Sequence, residues 1–425
     1  MNKDIGSILK EVLERAKPPK EDLKFIEETL DNFLKDLKDR IKKSKIKVEV
    51  FVGGSFAKKT VIKKDNYDAD VFLRFDKKYP DEELSILTEK ILKGVKSVEL
   101  IHGSRDYFRV MLRKDFFIEL VPVKKVSNPR ESNNITDLSY SHVKYIQNKV
   151  KSEKMLDEIR IAKAFCYASR CYGAESYIQG FSGYAIELLV YYYGSFLKFI
   201  KAIVKIKDKE VIDIEKSHKN KGAVLMNINA AKLASPIILI DPTFKQRNAL
   251  AALSNETFQK FQKACKEFLS KPSVHAFEIK KIDIGKIKEN AKKNKFEFVL
   301  LILETEKQRG DIAGSKLLKF FNHLGDEISR YFDIKHNGFN YSGKKSALGY
   351  FAVKSKKEIL IEGPFIKDKE SVAAFKKRHK NTIAKKERVY AKDKINFDIK
   401  KFISDWKAKN HQKMSDMSIS GLRII

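Results

Sequence analysis

The chain has 425 residues, of which 87 are lysine or arginine and 56 are aspartate or glutamate, so its formal net charge at pH 7 is +31. Hydrophobic residues make up 43% and charged residues 34%, which is typical of a globular chain of about three domains and excludes a disordered or fibrous one. Apolar runs such as residues 188–193 and 298–303 are far shorter than the ~20 residues that cross a bilayer, so a membrane protein is also excluded.

The N-terminus and the charge indicate where the protein works and what it binds. Residues 1–19 lack the continuous apolar core of a signal peptide, so we expect a cytoplasmic protein with no membrane partner. The three cysteines, Cys166, Cys171 and Cys265, contain no C-x-x-C pair and are expected to be buried free thiols. The excess positive charge predicts a polyanionic partner, with nucleic acid as the leading candidate. A proteome rich in lysine, as in some thermophiles, would give the same charge.

The first 138 residues have the pattern of an α/β domain. Apolar residues at helical spacing over residues 22–43 predict an amphipathic helix. Residues 47–52 then alternate as a strand that stops at Gly53-Gly54, and a helix is expected to begin after Ser55. Residues 69–75 and 115–123 predict two further strands.

The remainder of the chain predicts two more regions. Residues 139–272 are mostly helical, with helices expected at residues 150–170, 184–204 and 256–269 and a short apolar run at 237–241. Beyond them the strands expected at 296–304, 346–353 and 358–361 and the helix at 317–332 predict a ferredoxin-like or RNA-recognition-like sheet. Residues 371–389 and 397–407 predict a basic helical tail. The fold class is therefore α+β and multidomain, with domains at 1–138, 139–272 and 273–425.

A glycine-serine turn and three carboxylates form the strongest chemical motif. Gly54 and Ser55 lie between a strand and a helix, where glycine lets backbone N–H groups approach phosphate oxygens and Ser55 adds a hydroxyl donor. Asp68 and Asp70 are two apart on a strand, so both carboxylates face the same side. Such hard oxygen ligands beside a flexible turn suit Mg²⁺ that carries a nucleoside triphosphate. Glu119 is a lone acid in a later apolar strand, where a charge is costly unless a metal or another cation compensates it.

This arrangement resembles the nucleotidyltransferase superfamily of polymerase-beta type. Further motifs sharpen the resemblance to archaeal (class I) CCA-adding enzymes, in which a catalytic head, a helical neck and a C-terminal body follow one another. These motifs are Tyr-Gly-Ala-Glu at residues 172–175, Gly-Phe-Ser-Gly-Tyr at 180–184, Glu-Leu-Leu at 187–189, Tyr-Gly-Ser-Phe at 193–196, Asp-Pro at 241–242, Arg-Asn at 247–248 and Ala-Ala-Leu-Ser at 251–254. The match runs in order from about residue 53 to residue 272 and is diffuse elsewhere.

The resemblance implies a role for each matching position. Asp68, Asp70 and Glu119 match the carboxylates that hold Mg²⁺ and are catalytic, and Gly54, Ser55 and Lys58 match positions that hold the incoming triphosphate. His142, Lys163 and Tyr172 match further nucleotide contacts, and Arg247 matches the arginine that reads the base edge of CTP or ATP. In the family arginine is usual at Lys58 and aspartate at Glu119, and no Arg-Thr-Pro run precedes His142 here.

The function that the resemblance implies is template-independent addition of C, C and A to the 3′ end of tRNA from CTP and ATP, by two-metal-ion nucleotidyl transfer with release of pyrophosphate. The three carboxylates would hold the two Mg²⁺ ions. The basic C-terminal half would bind the acceptor and TΨC arms through phosphates and A-form shape. Two alternatives remain: a nucleotidyltransferase with another acceptor, of poly(A)- or oligoadenylate-type, and a catalytically inactive RNA-binding protein. The sequence leaves a monomer and a homodimer equally open.

Overall fold

The structure is a computed structural model that describes residues 4–103, 105–132, 134–279 and 282–425. The described residues divide into two compact units, 4–279 and 282–425. Residues beyond position 272, including Val274 and Phe277, still pack on a core of the first unit. No helix in these ranges combines the length and the hydropathy needed to cross a membrane. Cys166, Cys171 and Cys265 are buried and free.

The first unit alternates helices and strands along its length. Its helices are α1 (Ile5–Ala16), α2 (Lys20–Ser44), α3 (Gly54–Ala57), α4 (Leu84–Leu92), α5 (Ser139–Lys149), α6 (Glu153–Ala168), α7 (Gly183–Tyr193), α8 (Phe196–Lys205), α9 (Lys221–Asn227) and α10 (Asn255–Ser270). Its strands are β1 (Val48–Val52), β2 (Tyr67–Phe75), β3 (Val98–Ile101), β4 (Tyr107–Arg113), β5 (Phe116–Lys124), β6 (Glu210–Ile212), β7 (Ile237–Asp241) and β8 (Phe244–Asn248).

A five-stranded sheet forms the N-terminal half of this unit. Its strand order is β1-β2-β5-β4-β3, and only β2 and β5 run parallel. The apolar stripe of α2, including Ile26, Leu30 and Leu37, packs against buried residues of β2 such as Val71 and Leu73. Burial of this face explains why the helical spacing of α2 is so regular. The helix expected after Ser55 is a single turn, and α4, β3 and β4 were not predicted.

The helices that follow enclose a second core. α1, α6, α7, α8 and α10 supply most of its buried residues. The single helix predicted over residues 184–204 is in fact two helices, α7 and α8. Gly194 ends α7 in the left-handed conformation, at φ 82°, and the Ser195 side chain then accepts a hydrogen bond from the Lys198 backbone amide to begin α8. A glycine C-cap followed directly by a serine N-cap outweighs the continuous apolar spacing.

The three-stranded sheet β6-β7-β8 completes the first unit. β6 pairs with β7 in parallel, and β7 pairs with β8 in an antiparallel hairpin. All five residues of β7 are buried, which is why this stretch appears in the sequence as a continuous apolar run.

The second unit contains two antiparallel sheets. Its helices are α11 (Ile284–Lys293), α12 (Asp311–Ser329), α13 (Lys369–Arg378), α14 (Ile399–Lys409) and α15 (His411–Asp416). Its strands are β9 (Glu297–Glu304), β10 (Phe332–Tyr341), β11 (Ser346–Ser355), β12 (Glu358–Phe365), β13 (Thr382–Lys385), β14 (Arg388–Lys394) and β15 (Gly421–Ile424). The strand orders are β10-β11-β9-β15 and β12-β14-β13.

The sheet predicted for this unit was wrong in one strand and lacked two others. The strand expected at residues 358–361 does not join β9 and β11, because β12 pairs with β14 in the smaller sheet. β10 and β15, which were not predicted, complete the larger sheet instead.

The basic helical tail also needs correction. Within residues 371–389 the helix α13 ends at Arg378, and β13 and the start of β14 form a hairpin. Val389 and Ala391 are buried on one face of β14 while Tyr390 between them is only partly buried, so the segment follows a period of two. Pairing of β14 with β12 therefore overrides the helix propensity of the lysine-rich sequence.

Candidate active site

The three predicted carboxylates lie on two adjacent strands of the five-stranded sheet. β2 and β5 pair in parallel with Asp70 opposite Glu119. Ala69 and Val71 are fully buried on the face of β2 that packs on the helices, whereas Asp68 and Asp70 face the other side and are partly exposed. The alternation of the strand therefore brings both aspartates to one surface, as the sequence predicted. We call Asp68, Asp70 and Glu119 the carboxylate cluster.

The glycine turn lies directly against this cluster. The Gly53 backbone amide donates a 2.8 Å hydrogen bond to the Asp70 carbonyl oxygen. Gly54 has a left-handed φ of 60°, and a Cβ built on it would lie 1.7 Å from Asp70 Oδ2. Only glycine fits this position, because any side chain would collide with the carboxylate.

Negative charge accumulates in the carboxylate cluster. Burial raises the pKa of Asp70 to about 7, and the negative charges of Asp68 and Glu119 add to this shift. Burial also raises the pKa of Glu119, although Arg109 Nη2 donates a 2.8 Å hydrogen bond to Glu119 Oε1 and opposes the shift. Lys64 Nζ lies 3.7 Å from Asp68 Oδ1. Asp70 is thus the member of the cluster whose charge is least compensated.

Two of the three carboxylates could hold a divalent cation, while the third is ion-paired with Arg109. Among the described residues, no three His, Cys, Asp or Glu side chains converge closely enough to hold a metal ion. The Glu119 carboxylate is engaged by Arg109, which leaves Asp68 and Asp70 as the converging oxygens. Mg²⁺ is commonly held by one or two carboxylates together with substrate phosphates, and a cation would relieve the repulsion that raises the pKa of Asp70.

A buried ion-pair network lies next to the turn. Glu187 is fully buried and accepts hydrogen bonds from Lys58 Nζ at 2.6 Å, Lys163 Nζ at 2.7 Å and Thr60 Oγ1 at 2.7 Å. Burial alone would raise the pKa of Glu187, but the two lysines bring it down to about 2. Burial lowers the pKa of Lys163 to about 8 despite the Glu187 charge. We call Lys58, Lys163, Thr60 and Glu187 the lysine network.

A second buried acid organises the neighbouring residues His142 and Arg247. Asp241, at the end of β7, is fully buried. Its Oδ2 lies 2.9 Å from His142 Nε2 and 2.7 Å from Arg247 Nη1, and its Oδ1 accepts hydrogen bonds from the Tyr184 hydroxyl and from Thr243. Burial alone would raise the pKa of Asp241, but the hydrogen bond to His142 and the Arg247 charge hold it well below its usual range. We call these five residues the Asp241 network.

One small cleft joins the first two groups. Ser55, Lys64, Asp68, Lys163 and Tyr172 all line it, so the structure brings the turn, a carboxylate and the lysine network to one surface. A Cβ built on Gly183 would lie 2.9 Å from the Tyr172 hydroxyl, which shows how closely the Gly-Phe-Ser-Gly-Tyr motif packs on this tyrosine. His142 and Arg247 do not line this cleft and belong to the Asp241 network instead.

Sequence reasoning missed the residues that hold the others in place. Arg109, Glu187, Asp241 and Tyr184 had no predicted role. Arg109 alternates with the buried Phe108 and Val110 in β4, and this period of two was a usable signal. Glu187 interrupts the apolar helix α7, where a lone acid indicates a buried partner.

Comparisons with known proteins identify the relatives of this chain. Residues 157–278 match the family described as tRNA nucleotidyltransferase, second domain. The chain is 39% identical over 247 residues to a CCA-adding enzyme of Nanoarchaeum equitans, a match that covers 58% of this chain and 60% of that protein. It is 30% identical over 328 residues to a CCA-adding enzyme of Saccharolobus islandicus, covering 76% of this chain and 72% of that protein.

The chain belongs to the CCA-adding enzyme family. In the relatives from N. equitans and Pyrococcus abyssi it spans 60% of the relative's length. The fold is shared more widely: a solved structure of the Cid1 poly(U) polymerase superposes with a TM-score of 0.51 at 13% identity, covering 64% of this chain and 98% of that one. Membership of the CCA-adding enzyme family therefore rests on sequence, and the nucleotidyltransferase fold on both sequence and structure.

Proposed function

We propose that this chain adds C, C and A to the 3′ end of tRNA from CTP and ATP, without a template and with release of pyrophosphate. The observation that carries the proposal is the Asp68 and Asp70 pair, packed against the Gly54 turn in a chain of the CCA-adding enzyme family. The adjacent lysine network offers positive charge where a triphosphate would lie.

The chemistry follows from what these side chains can hold. Mg²⁺ bound by Asp68 and Asp70 would lower the pKa of the RNA 3′-hydroxyl and neutralise charge on the triphosphate. The Gly54 backbone amide and the Ser55 hydroxyl are the donors for phosphate oxygens. Lys58 has ammonium protons beyond the one directed to Glu187, so it can also donate to phosphate. Lys163 already donates to Glu187 and to two oxygens of Thr60, so it would act through its charge. No protein side chain has to act as a nucleophile.

The lone acid Glu119 has a supporting part in this proposal. Its carboxylate is opposite Asp70 in the sheet and ion-paired with Arg109. We propose that it acts as the third carboxylate of the site, and that Arg109 limits the negative charge when no cation is bound.

The Asp241 network would select the base. Arg247 is partly exposed and is held at one nitrogen by Asp241, which leaves other guanidinium donors of its planar fork free for a base edge. His142 stacks on Tyr184, with ring centroids 4.1 Å apart, and we propose that it and Tyr172 contribute nucleotide contacts. Donors fixed in this way penalise a base that leaves them unpaired.

The second unit would bind the acceptor and TΨC arms of tRNA. The larger sheet and its helices follow the chain in the order β9, α12, β10, β11, α14, α15 and β15, which supports a ferredoxin-like body. The helix α13 and the β13–β14 hairpin carry exposed cations. Lys376, Lys377, Lys385 and Lys386 are all exposed there. Replacing these four with glutamine should raise KM for tRNA and flatten the dependence of affinity on salt, because each phosphate contact contributes ~0.7–0.9 log units per log unit of salt.

We propose that the chain has three domains, at residues 1–138, 139–272 and 273–425, and that the protein is cytoplasmic.

Single-nucleotide incorporation tests the proposed function. The protein is incubated with Mg²⁺, tRNA that lacks its terminal CCA, and each of the four NTPs separately. CTP alone should give addition of CMP, and AMP should be added once the RNA ends in CC. Repeated addition of AMP to any RNA would favour the poly(A)-type alternative, formation of oligoadenylate without RNA would favour the oligoadenylate type, and no addition would favour an inactive RNA-binding protein.

A further inference from the structure

A second cleft lies in the first unit, directly after β6. It is lined by the apolar Val211 and Val224, by Asp213 and His218, and by four exposed residues, Lys216, Lys219, Asn220 and Lys221. None of these residues belongs to the carboxylate cluster, the lysine network or the Asp241 network. The cleft therefore needs its own explanation.

His218 and Asp213 form a fixed pair inside this cleft. His218 Nδ1 lies 3.1 Å from Asp213 Oδ2, and the His218 backbone amide donates a 2.9 Å hydrogen bond to the same oxygen. Only 4% of the His218 side chain and 14% of the Asp213 side chain are exposed. Two hydrogen bonds and this burial fix the orientation of the ring.

Each member of the pair has one polar atom without a partner. His218 Nε2 and Asp213 Oδ1 are buried and have no hydrogen-bond partner among the described residues. Leaving a buried polar atom unpaired costs free energy that a bound group would recover. Because Nδ1 faces Asp213, Nε2 is the ring nitrogen that is left to contact a bound group.

The surroundings indicate the charge of the missing group. Lys216, Lys219 and Lys221 are exposed at the opening. Within the described part of the chain, only Lys221 of these three has an acidic neighbour within 4 Å, Glu210 at 3.6 Å. The cleft thus combines several cations with one donor and one acceptor that lack partners. A simple anion would satisfy His218 Nε2–H but would be repelled by Asp213 Oδ1.

We propose that this cleft binds one ribose-phosphate unit of an RNA backbone, with His218 Nε2–H donating to a phosphate oxygen and Asp213 Oδ1 accepting from the ribose 2′-hydroxyl. The three lysines would neutralise this phosphate and its neighbours. A carboxylate that accepts from the 2′-hydroxyl distinguishes RNA from DNA. This inference rests on the proposed function, because it takes the RNA that is elongated at the carboxylate cluster as its ligand.

Binding measurements with two matched probes test the cleft. The first probe is a labelled RNA hairpin of the acceptor and TΨC arms, and the second is the same hairpin with 2′-fluoro groups in place of the 2′-hydroxyls. The 2′-fluoro hairpin keeps A-form geometry but cannot donate a hydrogen bond. Fluorescence anisotropy of the full chain should give a Kd about fivefold higher for the 2′-fluoro probe.

Two variants separate the two contacts. His218→Phe keeps the shape of the ring and should weaken RNA binding about tenfold, because it removes a charge-assisted hydrogen bond. Asp213→Ala should weaken RNA binding and abolish the preference for the 2′-hydroxyl hairpin over the 2′-fluoro hairpin. If Asp213 acted only through its negative charge, its removal would make RNA binding tighter. Lys198→Gln with Lys201→Gln removes two exposed lysines of α8 outside the cleft and should leave Kd within twofold of wild type.

Some results would overturn the inference. A folded His218→Phe variant, verified by thermal melting, that binds RNA as tightly as wild type would remove His218 from the RNA-binding surface. Tighter RNA binding by Asp213→Ala would rule out acceptance from the 2′-hydroxyl. If wild type adds CMP normally in either case, the proposed function stands and only the cleft assignment fails. If wild type binds the RNA hairpin with the predicted preference but adds no nucleotide, the cleft assignment stands and the proposed function fails.

Discussion

The carboxylate cluster and the lysine network lie side by side, but their charges are balanced in opposite ways. In the lysine network two cations surround one acid, and the pKa of Glu187 falls to about 2. In the carboxylate cluster like charges meet, and the pKa of Asp70 rises to about 7. In the lysine network the protein itself compensates the charge of Glu187. The carboxylate cluster is stabilised when it binds a cation or a proton. The difference indicates that Glu187 stabilises the fold around the site, whereas Asp70 is stabilised by binding a cation or a proton.

The largest expected effect on activity comes from substitutions in the carboxylate cluster. Asp68→Ala and Asp70→Ala should each lower the rates of both CMP and AMP addition by roughly a thousandfold or more, because both reactions would share one cation site. Binding of tRNA, measured by anisotropy, should change little. Glu153→Gln, an exposed acid of α6, serves as the matched control and should retain activity. Loss of only one of the two additions would contradict a shared site.

The lysine network should show its effect in stability instead. Glu187→Gln leaves two buried lysines without their acid, so the free energy of unfolding should fall by about 3–5 kcal/mol. Denaturant titration measures this loss, and Glu153→Gln should lose at most about 1 kcal/mol because its ion pairs are exposed. Equal stability of the two variants would show that the network is not a structural element.

Base choice should depend on the Asp241 network. Arg247→Ala should reduce discrimination against UTP and GTP about tenfold, more than it reduces CTP turnover, because we propose that the guanidinium contacts the base and not the phosphates. Arg247→Lys keeps the charge without the planar fork and should still lose discrimination. Ratios of kcat/KM for the four nucleotides measure this effect. A uniform loss for all four would make Arg247 a structural or phosphate-binding residue.

The smallest effect is a pH-dependent stability of the metal-free protein. The folded-state pKa of Asp70 is raised from 3.8 to about 7, so the folded state binds this proton more tightly than the unfolded state does. The Asp70 contribution to stability is full below about pH 4 and is lost as the pH rises through 7. In EDTA the Tm should therefore fall over this range more in wild type than in Asp70→Asn.

Added Mg²⁺ should reverse that fall. Above pH 7 it should raise the Tm of wild type more than that of Asp70→Asn, because the ionised pair is its binding site. Identical Tm profiles for wild type and Asp70→Asn, with and without Mg²⁺, would show that the pKa of Asp70 is not raised and that Asp70 does not bind the cation.

The sequence predicted which face of β2 carries Asp68 and Asp70, but it predicted few of the residues that support the candidate site. Asp68 and Asp70 were assigned to one face correctly, because strand alternation is a local property that the chain shows directly. The partners of Lys58 and Lys163 could not be found in this way, because Glu187 approaches them through packing between α7 and the segment after the glycine turn. For the same reason the first part of the β13–β14 hairpin, up to residue 389, was predicted as a helix: the pairing of β14 with β12 is long-range, and the local composition favours a helix.

Sequencing the RNA ends that the wild-type protein makes is the most direct measurement of the central claim. A tRNA that lacks its CCA end is incubated with Mg²⁺ and all four NTPs together, and the 3′ ends of the products are sequenced. The account predicts that addition stops after C, C and A, with few products containing G or U. Products that end in runs of A or U, or RNA that is left unextended, would contradict it.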